Sequence, residues 1–308
     1  MLWVGSADSL RLRNRAHALY TFPMAINFCD YSRVALLIPA LVLTLSPGLA
    51  QASCPTLQGD LREGGLIWGR VDPGSLVSLD EQALDLLPDG IFVAAFHRDA
   101  PARSTLRVGA DCVLELEVAQ REYRVQRVEG VPQRTVTPPA EQLERIRRER
   151  ALVRAAKAQL IARPQWLMQI DGGFQWPVQG PISGVYGSQR VYNGKPGNPH
   201  YGVDIAVPEG TPVQAPAAGR VTLAQDDLFY SGGTVIIDHG YGLSSSFLHM
   251  SEVFVAVGDD LEPGERIGAV GATGRATGPH LDWRMSWRDR RVDPQRLVPP
   301  MSVAQAGE

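Results

Sequence analysis

Turns come too often after residue 173 for long helices. The segments "TPVQAPAAGRVTLA", "GTVIIDHG", "SSSFLHMS", "RIGAVGATG" and "PHLDWRMSW" are short runs set apart by glycine and proline, of which the whole chain holds 31 and 23. Glycine reaches the left-handed backbone that tight turns need and proline removes an amide donor, so both end regular elements. Short strands divided by such turns make antiparallel β-structure. Residues 173–299 are therefore expected to be a β-rich domain, with a tail at 300–308.

Upstream, "GIFVAAF", "CVLELEV" and "REYRVQRV" alternate apolar and polar positions between Gly, Pro or Asp turns. They read as half-buried strands of a small β-domain over residues 53–135. No set of catalytic residue types gathers there, and His97 reads as a surface histidine. Between the two regions, residues 136–165 read as an amphipathic connecting helix. Thr137 is its expected N-cap, Pro138 its first position and Pro164 its stop. Leu143, Ile146, Val153 and Leu160 form the apolar stripe.

The run "VALLIPALVLTL" at residues 34–45 precedes "SPGLAQAS", where Ala50 and Ala52 make the small-x-small pattern of a signal-peptidase site. It falls short of the roughly 20 apolar residues that a bilayer span takes. Residues 1–52 are expected to be a signal peptide started at Met24, which places the mature chain in the periplasm or cell envelope. Membrane attachment is expected only if that segment is retained. Cys29 leaves with it, so Cys54 and Cys112 remain as an even pair, either a disulfide or two buried thiols. A formal net charge of -3 gives no polybasic footprint, so no nucleic-acid partner is expected.

Chemistry-bearing residues gather in the last region. In "NPHYGVDIAVPEG", His200 and Asp204 flank a segment too rich in Gly and Pro for a helix, and both are ordinary metal ligands. In "GPHLDWRM", His280 and Asp282 are two apart in a β-type segment, so their side chains share a face. His249 follows the apolar run in "SSSFLHMS". His239, in "IIDHGYG", reads as a structural turn residue. The Ser244–Ser246 run lacks the G-x-S-x-G elbow of a serine hydrolase. "GAVGATGRATG" opens no helix, so it is not a nucleotide loop.

"HYGVD", "FLHM" and "GATGRATGPHLDW" together resemble the lysostaphin/LytM-type zinc endopeptidases, the family-23 metallopeptidases that cut peptide bonds in bacterial peptidoglycan. The resemblance covers roughly residues 173–299. It implies a mainly β, antiparallel catalytic domain of LytM-like, duplicated hybrid motif-like fold, with peptidoglycan as partner. It further implies zinc bound by His200 and Asp204, and His249 and His280 as catalytic residues. The last motif of that family is His-x-His, whereas this chain has His280-Leu281-Asp282. An Asp oxygen reaches as far from Cα as the near ring nitrogen of His, and carboxylate is an accepted zinc ligand at about 2.0–2.2 Å, so Asp282 is expected as the third ligand. Three protein ligands with one position left open is the pattern of catalytic zinc. The oxygen-rich set also admits manganese. Two carboxylates and a neutral His cancel a divalent charge, which predicts an activity optimum more alkaline than that of an Asp282→His variant. Tyr192, Asn193 and Tyr201 are expected to line a substrate groove. The alternative is a non-catalytic module that binds peptidoglycan or activates a separate amidase, with an envelope regulatory protein as a possible partner.

Overall fold

Short strands dominate, as the spacing of turns predicts. A computed structural model describes residues 54–129, 140–167, 170 and 173–301. The signal segment, Thr137, Pro138 and most of the tail lie outside these residues. The described elements from Cys54 onward belong to one compact unit.

In the N-terminal part β1 (Leu57–Gly59), β2 (Leu66–Arg70) and β5 (Ile91–Ala95) form one antiparallel sheet. A second, in the order β4-β3-β6-β7, joins β3 (Val77–Leu79), β4 (Gln82–Leu84), β6 (Arg103–Val108) and β7 (Cys112–Glu117). Every residue of β5 is buried, and with Phe96 it supplies much of the local core. Cys54 and Cys112 are disulfide-bonded. The strand read from "REYRVQRV", β8 (Val125–Val128), joins neither sheet. It pairs in parallel with β10 (Gln189–Tyr192), which also meets β11 (Lys195–Pro196).

The helix differs from its sequence reading. A 3-10 turn at Ala140–Gln142 leads into α1 (Leu143–Lys157), which stops well before Pro164. Pro164 instead opens a short helix, α2 (Pro164–Leu167). Beyond the end of α1 the Ile161 carbonyl accepts the Arg163 amide at 2.9 Å and the Tyr241 amide at 3.1 Å, the first a contact that a continuous helix does not make. The buried stripe is also narrower than the heptad reading. Ala156 and Val153 pack on Leu223, Leu228 and Ile236, and Ile146 is buried, while Leu143 and Leu160 are 40% and 54% exposed.

The C-terminal part is a ten-stranded sheet. Its main path runs β17 (Asp260–Leu261), β14 (Gly219–Leu228), β15 (Gly232–Asp238), β16 (Leu243–Val253), β19 (Leu281–Trp287), β12 (Val203–Ile205) and β9 (Ile182–Gly184). Off this path, β18 (Arg266–Val270) pairs with β13 (Pro212–Gln214) and β16, and β20 (Arg290–Val292) pairs with β19. All of β15 and the first eight residues of β16 are buried, because α1 covers part of one face while the core covers the other. Cross-ties join the two parts: Arg121 Nη1 meets Asp293 Oδ2 at 2.9 Å, and Arg290 Nη1 donates to the Ala95 carbonyl at 2.8 Å.

Candidate metal centre

β19 sits between β16 and β12, and its register decides which side chains meet. Asp204 lies directly opposite Asp282 across the β12–β19 pair. Like charges opposed in this way destabilise a sheet, so the pair calls for a cation. His200, in the loop before β12, is fixed by its own backbone: its amide donates to Ser188 O and its carbonyl accepts from Gly187 N, at 2.8 and 2.7 Å. Its Nε2 then stands 3.0 Å from Asp204 Oδ1 and 3.5 Å from Asp282 Oδ1. The ligand atoms of these three residues all lie within 4.8 Å of one another.

The set fits a metal ion. Bonds of about 2.1 Å in a tetrahedron put ligand atoms about 3.4 Å apart, near the separations found. His200 Nδ1 faces the Val185 carbonyl at 3.3 Å. A carbonyl only accepts, so Nδ1 carries the proton and Nε2 turns its lone pair toward the carboxylates. Both His200 Nε2 and Asp204 Oδ1 are buried without a hydrogen-bond partner. Two lone pairs 3.0 Å apart repel unless positive charge sits between them. Burial alone would lower the His200 pKa, yet Asp204 and Asp282 outweigh it and lift it to about 10, so either a proton on Nε2 or a metal ion supplies the positive charge between them.

His249 and His280 border the same space. The β15–β16 register shifts between Gly233 and Val235, and His249 adopts φ 66°. Such a backbone costs a non-glycine residue about 1–3 kcal/mol, and it is held by His249 N donating to Ser231 O at 2.8 Å. Bulges re-aim side chains, and this one ends with His249 Nδ1 on the Thr273 carbonyl at 2.8 Å. His280 bridges to Gly271 and places Nδ1 2.8 Å from the Gly278 carbonyl. Both imidazoles therefore present Nε2 to the site. Their rings are 4.9 Å apart, and His280 Nε2 is 3.9 Å from Asp204 Oδ1. Burial pulls the His249 pKa down, only partly offset by the Thr273 carbonyl.

Comparison with known proteins matches residues 198–294, the stretch holding all five side chains, to the family model "Peptidase family M23". A solved Pseudomonas aeruginosa structure assigned to peptidase M23 aligns with 77% of this chain and 94% of its own, at TM-score 0.57 and 32% identity. The chain belongs to peptidase family M23. Its M23 domain is 39% identical over 104 residues to the Vibrio cholerae peptidoglycan DD-endopeptidase ShyA, and 33% identical over 134 residues to ShyB of the same organism. Those alignments take in 34% and 44% of this chain but only 24% and 29% of the two relatives.

Within the M23 domain one residue escaped the sequence reading. Arg284 Nε donates to both Asp282 oxygens at 2.9 and 3.0 Å, and its Nη2 donates to Oδ2 at 2.5 Å. Burial would raise the Asp282 pKa, but Arg284 and then His200 hold it well below the usual carboxylate range. The signal was present: on a strand, positions 282 and 284 share a face. Arg284 adds one positive charge beside the ligand set, but an Asp282→His variant keeps the same guanidinium, so wild type still carries one negative charge more than the variant.

Tyr192, Asn193 and Tyr201 line a cavity of about 1400 Å³ that also reaches His200, Asp204 and His249. His97 is exposed. His239 is buried, with Nδ1 on Ala218 O and Nε2 on Ser245 Oγ, both at 2.8 Å, and so is structural. Ser244–Ser246 are interior residues of β16. Gly184, opposite Asp204, was also missed: a Cβ there would lie 2.1 Å from Asp204 Oδ2.

Proposed function

We propose that the protein is a zinc endopeptidase that hydrolyses peptide bonds in the stem peptides or cross-links of bacterial peptidoglycan, working in the periplasm after export by residues 1–52. The observation that carries this reading is the buried, unpartnered His200 Nε2 and Asp204 Oδ1 with two further imidazoles beside them. The names of the Vibrio relatives support the substrate class.

His200, Asp204 and Asp282 hold the ion, with manganese an alternative for this oxygen-rich set. When bound, zinc supplies a Lewis acid for the scissile carbonyl and lowers the pKa of water. Every other step belongs to side chains. Burial keeps His249 neutral near pH 7, and its Nδ1–H is committed to Thr273, so its Nε2 takes the proton of the attacking water. His280, 4.9 Å away ring to ring, serves the developing oxyanion as an imidazolium, because its Nδ1–H is already given to the Gly278 carbonyl and only a protonated Nε2 can donate. Tyr192, Asn193 and Tyr201 orient the peptide along the cavity wall.

A second reading has one observation in its favour: Arg284 engages both oxygens of Asp282. A module with its carboxylate so committed would bind peptidoglycan, or activate a separate amidase through an envelope partner, without turnover. Metal content of the mature protein, measured beside solubilisation of purified sacculi by wild type and His200→Ala, separates the two. Stoichiometric metal and solubilisation, both lost in the variant, support the enzyme. Sacculus binding with neither metal nor turnover supports the module. Fractionation of expressing cells tests export.

A further inference from the structure

The cavity beside the metal centre holds more positive charge than the protein's own carboxylates balance. Lys157 at the end of α1, Arg284 on β19 and Arg291 on β20 all reach its wall. Asp282 lies beside Arg284, which already takes both of its oxygens. Among the described residues the Lys157 ammonium finds the Ser286 hydroxyl, at 3.2 Å, and no ion pair is formed by Lys157 or Arg291. Burial, then the neighbouring guanidinium groups, push Lys157 well below its ordinary pKa, and burial and Arg284 push Arg291 down as well.

The rest of the wall repeats the sign. Arg150 and Arg154 come from α1, Arg190 from β10 and Lys195 from β11. Against them stand Asp204, turned to the metal centre, and Glu149, which is occupied by Arg145 and the Phe229 amide at 2.6 and 2.8 Å. Lys157 is also rigidly carried, because the last turns of α1 pack through Val153 and Ala156 onto β14 and β15.

We propose that Lys157 and Arg291 form an anion subsite that binds a free carboxylate of the substrate peptide beside the scissile bond. The inference rests on the endopeptidase reading for the peptide and adds its class: an acidic peptide. An ammonium and a guanidinium, both half-buried, make charge-assisted bonds to a carboxylate, and the incoming anion relieves their mutual repulsion. Peptidoglycan stem peptides carry such free carboxylates.

The test is fluorescence anisotropy with the zinc-loaded mature protein. One probe is a labelled stem tetrapeptide with a free glutamate carboxylate, and the other is its twin with that carboxyl as a primary amide. The acidic peptide is expected to bind at least about tenfold tighter, with Lys157→Gln and Arg291→Gln each shrinking the ratio below about threefold and Arg291→Lys keeping it. A ratio near one in wild type overturns the proposal with no substitution needed, as does a ratio unchanged in both Gln variants. Displacement of the acidic peptide by inorganic phosphate at lower concentration than by acetate overturns the carboxylate assignment in favour of a phosphate-bearing ligand. Sacculus hydrolysis by the same preparations keeps the two ideas apart. No turnover with the ratio intact removes the endopeptidase and leaves the subsite, whereas turnover with a ratio of one does the reverse.

Discussion

Replacing Arg284 with Met strips a buried carboxylate of its counter-charge while roughly keeping the side chain's volume. The Asp282 side chain is 3% exposed, faces Asp204 across the strand pair and takes three contacts from the guanidinium. Removing one partner of a buried ion pair costs about 3–5 kcal/mol. The Arg284 side chain is itself 31% exposed, so water screens part of the pair and the lower figure, about 3 kcal/mol, applies. At about 2 °C per kcal/mol for a chain of this size, the metal-free variant should melt about 6 °C below wild type.

Zinc should change that difference. An ion between Asp204 and Asp282 supplies the charge the guanidinium gave, so saturating zinc should raise the melting temperature more in Arg284→Met than in wild type and recover at least about half the deficit. Differential scanning calorimetry with and without zinc reads both quantities. A metal-free melting temperature within about 1 °C of wild type would refute the view that the pair compensates opposed carboxylates. A full deficit that zinc leaves untouched would show that Asp282 takes no part in metal binding.

Gly184→Ala should lower zinc affinity by about 10–100-fold, measured by chelator competition, because its Cβ would fall 2.1 Å from Asp204 Oδ2 and push the carboxylate aside. Unchanged affinity would mean that Asp204 is not held by this close approach. The disulfide closes a loop of 58 residues, so replacing Cys54 and Cys112 with Ala should cost up to about 4 kcal/mol in denaturant unfolding, and a loss below about 1 kcal/mol would contradict the chain-entropy argument. Burial raises the Asp238 pKa to about 7 against only the Gly240 amide. The folded state thus keeps a proton that the unfolded state has lost, and this stability disappears as pH rises through about 7. Asp238→Asn, which keeps the acceptor for Gly240, should therefore gain more over wild type at pH 8 than at pH 5, and a constant difference would contradict the burial argument.

Much of this molecule is written locally. Glycine and proline spacing sets strand lengths after residue 173, since a residue without a Cβ and one without an amide proton act within their own turn. Motif order likewise picks out His200, Asp204, His249, His280 and Asp282, because the side chains needed for metal and proton chemistry are few. Alternation along "HLDWRM" even places Arg284 on the face of Asp282.

What the chain could not announce is anything set by a partner far away in sequence. α1 ends at Lys157 and the Ile161 carbonyl beyond it turns to Tyr241, while β8 leaves its neighbours to pair with β10. His249 takes a left-handed backbone because a bulge against β15 and the Thr273 carbonyl hold it there. Register between β12 and β19 turns two separate aspartates into an opposed pair that must find a cation. Local chemistry fixes which groups are available. Long-range hydrogen bonding fixes their distances and burial, and those set how strongly a given pair of charges interacts.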